Sequence, residues 1–383
     1  MGTLCVEQQH LLDENDSLHH VEQTDPERHL VLVFGSTERL EDGSLVGKIQ
    51  ESHPGALLAG CTTAGEVTGS GVSDQSVTVS SLRFGNTRIR TRRVTVPSMD
   101  DSLTAGRSLA EALREEDLSY LMILSDGLNV NGSLLVEGLH AALPAGVPFS
   151  GGLAGDGARF QKTLTLDDQG IHERSIVGIG FYGNSLKVNC GSVGGWAPFG
   201  TLKTVTRTHH NVVYEIDGNR ALDVYSAYLG DEAKDLPASG LLFPLSMASG
   251  AEENGLIRTL LAIDREKGSL TFAGDIPEGS NVQLMHANYE QLVAGAQSAA
   301  EVCLADDGGE VDFTLMISCV GRKLMMGNST DLEVEAVMER VGQNSISAGF
   351  YSYGEIGPFA ASGSSELHNQ TMTVTTFREK TAC

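Results

Sequence analysis

Three times along this chain the same order of segments returns: an apolar run, a helix, a second apolar run, a glycine-and-acid turn, and a third strand. In the first copy residues 30–34 end in Gly35-Ser36 and lead to a helix around Leu45 and Ile49, stopped by Pro54-Gly55. Residues 56–61 then run into Gly65-Glu66, and residues 75–84 alternate polar and apolar. Continuous apolar runs predict central strands buried on both faces, and alternation predicts a half-buried strand. In the second copy residues 120–124 end in Ser125-Asp126-Gly127, and a helix follows with Leu135, Leu139 and Ala142 on one face. Residues 147–152, Gly155-Asp156-Gly157 and residues 175–182 complete it. In the third copy residues 313–317 precede a helix that a Thr330/Glu333 capping box opens, with Val334, Val337, Met338 and Val341 at helical spacing. Residues 348–357 and a strand over 367–377 close it.

The segments ahead of copies two and three also match. Residues 89–96 precede a helix through Ala105-Gly106, and residues 282–286 precede one through Ala294-Gly295. The fold class is therefore α/β: two modules of mixed β-sheets packed with helices, built from repeated βαββ and βαβαββ units, with copy one partial. Between the copies, residues 185–280 are β-rich, with a linker-like stretch over 231–238 and a hairpin over 256–273. The expected domains are an acidic N-terminal tail, 1–27, mobile or docked as a short helix, then 28–235 and 236–383.

A formal charge of −24 argues against nucleic acid and against an anionic membrane surface, since both need a basic face. Six scattered cysteines with no CxxC read as free thiols in a reducing compartment, and CxxCH haem attachment is excluded. The N-terminus lacks the pattern of a signal peptide, and no apolar run reaches the roughly 18 residues a membrane span needs. The expected location is the cytoplasm.

Residues 345–377 hold the densest set of candidate ligand groups: Tyr351, Tyr353, Glu355, His368 and Gln370. Strand alternation puts Tyr351, Tyr353 and Glu355 on one face, and His368, Gln370, Met372 and Val374 on another. The tyrosines could wall a flat ligand or pack at a core edge. Glu355 and Glu66 could receive an amino group, or pin their own turns by accepting hydrogen bonds. Gly155-Asp156-Gly157 could approach an anion or serve as a structural turn; it is neither GxGxxG nor a Walker A loop. His209-His210 point to opposite faces of a strand, and His286 sits at a strand end. Catalytic and metal signatures are lacking.

Five motifs in order resemble the FIST family of sensory proteins: Gly60 to Glu66, Gly151 to Gly157, Gly195-Trp196-Ala197-Pro198-Phe199-Gly200, Tyr214 to Gly218, and Gly349 to Gly357 with Glu366 to Thr371. The resemblance implies a FIST-N domain followed by a FIST-C domain in a cytoplasmic small-ligand sensor. One branch of that family binds haem b non-covalently and senses nitric oxide. It signals in trans to a histidine kinase or a cyclic-di-GMP enzyme. For this branch His368 is the expected axial ligand, since a neutral imidazole nitrogen can bind iron, with His286, His209 and His210 as alternatives. The other readings are a sensor of an amino acid or related metabolite without haem, and a hydrolase-like enzyme. The oligomeric state, including a homo-oligomer, stays open.

Overall fold

Each apolar run predicted to be central forms a strand, and each parallel strand pair is closed by a glycine. Residues His29–Gly35 pair in parallel with Leu57–Thr62, Leu118–Ser125 with Phe149–Leu153, and Phe313–Cys319 with Ile346–Ser352. At Gly60, Gly151 and Gly349 a Cβ would lie 2.0, 1.8 and 1.8 Å from the carbonyl oxygens of Val33, Ile123 and Met316. Only glycine permits that approach, so the repeated glycine marks one position in three related modules. The computed structural model describes residues 4–13, 16–247, 255–305, 310–342, 344–358 and 363–379.

The three modules exchange strands in a closed cycle. Beyond its glycine-and-acid turn, each chain segment leaves its own sheet and adds a hairpin to a neighbour's. Glu66–Thr68 of the first module pairs with Ile346–Ser352 of the third. Gly354–Pro358 of the third pairs with Phe149–Leu153 of the second, and Thr165–Asp167 of the second pairs with Leu57–Thr62 of the first. Each segment then returns to its own sheet as Val77–Arg83, Ser175–Tyr182 or Met372–Glu379. The outer edges are Cys5–Leu11, Arg88–Thr95 and Leu186–Val193. Three six-stranded mixed sheets result. Their inner faces meet in a core that includes Phe34, Met122, Phe181, Phe313, Phe350 and Phe377, all fully buried. Helices Ser102–Leu113 with Gly132–Ala142, and Tyr289–Leu304 with Asp331–Val341, cover the outer faces of the second and third sheets.

Several expectations change here. Residues 1–27 are not simply a tail, because Cys5–Leu11 is an edge strand antiparallel to Val77–Arg83. It supplies the first strand of module one, so what that module lacks is only the first helix. The strand equivalent to residues 89–96 is Leu186–Val193; Asn281–His286 belongs to a different sheet, whose insertion separates that strand from its helix. The insertion, residues 194–287, is an eight-stranded sheet around the long strand Ala197–His209, with helix Ala221–Leu229 against it. A boundary at 235 runs through this sheet, since Val212–Ile216 pairs with Ser269–Phe272. The Thr330/Glu333 capping box does not form: Thr330 makes no cap bond, and the carboxylate of Glu333 goes to Arg322 instead. Asn288 and Gln291 form a capping box at the helix after the insertion.

Candidate functional site

The three turns meet at one point. The Ala64 N–H donates to the Tyr351 carbonyl at 2.8 Å, Tyr353 to Leu153 at 3.1 Å, and Gly155 to Thr62 at 2.9 Å. These bonds form a ring linking all three modules. Gly155 leaves no room at its centre, where a Cβ would lie 2.8 Å from the Ala64 nitrogen. Where the chain returns to each sheet, Gln75, Arg174 and Gln370 hold the same left-handed backbone, with φ of 58°, 50° and 64°.

The two glutamates serve these turns. Glu66 accepts from Thr63 Oγ1 and from both the N–H and the hydroxyl of Ser76. Glu355 repeats the pattern with Ser352 Oγ at 2.5 Å, the Thr371 N–H at 3.1 Å and Thr371 Oγ1 at 2.9 Å. Each carboxylate thus ties the donated hairpin to the strand that returns. Burial raises the pKa of both, that of Glu355 to about 7, against the lowering effect of these donors. Asp156 also caps its own loop, accepting from the N–H groups of Phe160, Gln161 and Lys162 at 2.8 Å each. The anion that this backbone cradles is the protein's own carboxylate.

The tyrosines diverge rather than share a face, because Tyr351 ends one sheet and Gly354–Pro358 starts another. The Tyr351 hydroxyl donates to Glu333 Oε1 at 2.6 Å, inside the core. Glu333 is paired with Arg322, both fully buried, and Arg322 also donates to the carbonyls of Gly194 and Leu292. Those two carbonyls flank the entry to the insertion and its exit. Tyr353 runs the other way. Its hydroxyl donates to Asp156 Oδ1, and its ring stacks on Phe160 with centroids 4.4 Å apart and planes 16° apart. Burial drives the pKa of both phenols up.

His368 and Gln370 lie beneath the insertion. The expected single strand over 367–377 breaks at Gln370, because His368 pairs with Glu355 in one sheet and Met372 with Ser318 in another. His368 is 1% exposed and its Nε2 lies 2.8 Å from the Gly357 carbonyl, so that nitrogen carries the proton. Burial lowers its pKa to about 4. Gln370 donates to the Leu241 carbonyl at 2.9 Å, and its own carbonyl accepts from Trp196 Nε1 at 2.9 Å. In modules one and two the matching Gln75 and Arg174 are exposed; only the third turn is roofed by the insertion.

A cleft of about 800 Å³ runs between that roof and the ring. Leu128, Ala158 and Phe160 of module two and Leu324 of module three form one wall, and residues 232–242 with Leu260 and Leu261 form the other. An adjoining, more enclosed pocket shares Leu128, Phe160 and Leu261 with the cleft and is bounded by Gly127, Leu153, Asn211, Phe272 and Tyr353. Leu261 and Leu324 are 41% and 42% exposed at the cleft. Of the expected ligand groups, only Tyr353 is among the described lining residues, and it lines the adjoining pocket. The residues that do line the cleft gave little sequence signal, since they come from five separate segments, one of them resembling a linker.

None of the four histidines expected as ligands of haem b is among the described residues that line the cleft. An axial ligand must present a ring nitrogen to open space. The Nε2 of His368 is already committed to a carbonyl inside the core. His286 is exposed and edge-on to Phe199. His209 and His210 are also exposed, and they contact each other with centroids 4.5 Å apart rather than facing apart, because His210 turns through φ 52°. Among the described lining residues there is no histidine, lysine or arginine. No group of metal-binding side chains occurs among the described residues, and their five cysteines are free. No helix there is long and apolar enough to cross a membrane.

Comparison with known proteins returns the FIST N domain over residues 29–219 and the FIST C domain over residues 221–358. An uncharacterized protein of Mycobacterium tuberculosis is 25% identical over 360 residues, covering 91% of each chain. One of Mycobacterium bovis is 25% identical over 363 residues, covering 91% of this chain and 90% of that protein. One of Methanocaldococcus jannaschii is 27% identical over 218 residues, covering 53% and 41%. A solved cyanuric acid hydrolase from A. caulinodans aligns over 99% of this chain and 100% of that one, with a TM-score of 0.37 and 9% identity, too remote to bear on function.

Proposed function

The chain belongs to the FIST family, and from that premise we propose that it is a small-ligand sensor whose ligand occupies the cleft between the ring and the inserted sheet. FIST domains are associated with sensing small ligands in signalling. The observation that carries the reading is the cleft itself: large, apolar and walled in part by Phe160, which stacks on Tyr353. Clefts of this size, between two structural units and lined mainly by apolar side chains, are where small molecules bind. Occupancy would bear on both walls and so on the placing of the insertion, whose entry and exit Arg322 clamps. Output passes to a partner protein, with a histidine kinase or a cyclic-di-GMP enzyme as the candidates that the family resemblance implies.

A metabolite panel scored by melting temperature tests this, because a ligand that binds only the native state raises it. A true ligand shifts the wild type and fails to shift Leu242→Arg, which fills the cleft with a charged side chain. An equal shift in both proteins would place the ligand elsewhere.

A further inference from the structure

We propose that the cleft takes an uncharged or cationic amphiphile, with an apolar body and a hydroxyl or amino head, and rejects carboxylates. This rests on the cleft being the ligand site. Three features of the lining set the class. The walls are formed by leucines, so the body that fills them must be apolar.

The second feature is that the adjoining enclosed pocket offers almost no free polar anchor. The Tyr353 hydroxyl is held by Asp156. Asn131 Oδ1 caps its helix through the N–H groups of Ser133 and Leu134, and its Nδ2 donates to Asp275. Asn211 Nδ2 donates to the Phe272 carbonyl. A polar head placed there would lose water and gain little in return, which favours a head at the mouth.

The third is charge. Glu232 and Asp235 line the cleft, both are exposed, and neither has an ion-pair partner among the described residues. The nearby Lys234 is engaged by Asp231. A carboxylate head would meet two like charges with no lysine, arginine or histidine in the described lining to receive it. An ammonium head would meet attraction instead. The overall charge of −24 acts in the same sense at long range.

The test uses the full chain at low salt and neutral pH, with the neutral dye Nile red as reporter. Decanol, decylamine and decanoate, each below its micelle concentration, compete for the dye. Decanol and decylamine should displace it, and decylamine should act at a concentration at least about tenfold below decanoate, as Coulomb terms at this range allow. The exposed double substitution E232Q/D235N should narrow that gap to under about threefold and leave decanol unchanged. Decanoate matching decylamine in the wild type would overturn the proposal, as would a gap that the double variant keeps. Dye binding with no head-group preference removes only the ligand class. No saturable dye binding, or binding that Leu242→Arg leaves intact, removes the cleft as ligand site as well.

Discussion

Glu355 is a carboxylate with no exposure at the junction of all three modules, and its replacement by glutamine is the most informative single change. In the folded protein burial raises its pKa from 4.5 to about 7. Between these values the native state therefore binds more protons than the unfolded state. Stability from this group is fully present below pH ~4.5 and is lost as pH rises through about 7. At about 1.4 kcal/mol per pH unit, the full loss is on the order of 3 kcal/mol. Glutamine keeps the shape and an acceptor for the Thr371 N–H, and does not titrate. With ~2.1 cal/mol/K of unfolding entropy per residue, the chain loses roughly 0.8 kcal/mol per degree, so ~3 kcal/mol corresponds to ~4 °C. Wild type and Glu355→Gln should melt close together at pH 4.5–5. By pH 8 the variant should melt about 4 °C higher. His29 and His368, both lowered to about 4 by burial, impose an opposite slope between pH 6.5 and 4. That slope is common to both proteins and cancels in the difference. A difference that stays flat with pH, or a wild type that gains on the variant as pH rises, would refute the reasoning.

Breaking the buried Arg322–Glu333 pair from one side should cost about 3–5 kcal/mol, because the survivor is left charged and dry, whereas Arg322→Met with Glu333→Leu should cost less than either single change; melting temperatures of the three variants decide this. Gly349→Ala should lower the melting temperature sharply or prevent folding, since its Cβ would sit 1.8 Å from the Met316 carbonyl oxygen, while Gly47→Ala, in an open helical position, should stabilise by about 1 kcal/mol.

Periodicity made the repeats readable, because a strand buried on both faces and a helix with one apolar stripe each leave a distinct pattern. The glycine-and-acid turns were readable too, as were the two open alternatives for Glu66 and Glu355, of which the turn-pinning one matches the bonds they make. What alternation could not reveal is a change of sheet. Tyr351 and Glu355 are four residues apart, yet they belong to different sheets, so a rule that holds within one strand fails across the pair. The same break separates His368 from Met372. The cleft was hidden for a different reason: Phe160, Leu242, Leu261 and Leu324 are ordinary apolar residues whose only signal is that folding gathers them. Glu232 and Asp235 stood in a stretch that composition marks as connecting chain. The missing piece of module one was misjudged because Cys5–Leu11 carries Glu, Gln and His on an edge, where a strand need not look apolar.

The cyclic exchange of hairpins also sets a timetable for synthesis. Phe149–Leu153 leaves the ribosome with one edge unpaired, and the strand that covers it, Gly354–Pro358, is about 200 residues further on. At roughly 5–20 residues per second the nascent chain carries that open edge for roughly 10–40 s. The hairpin from Glu66–Thr68 waits longer still for Ile346–Ser352. No module can finish its sheet alone, so a chain cut between the N and C portions would release two halves with exposed edges. The first sheet is complete once Gly170–His172 has emerged, so co-translational folding must end with the last segments closing the second and third sheets together.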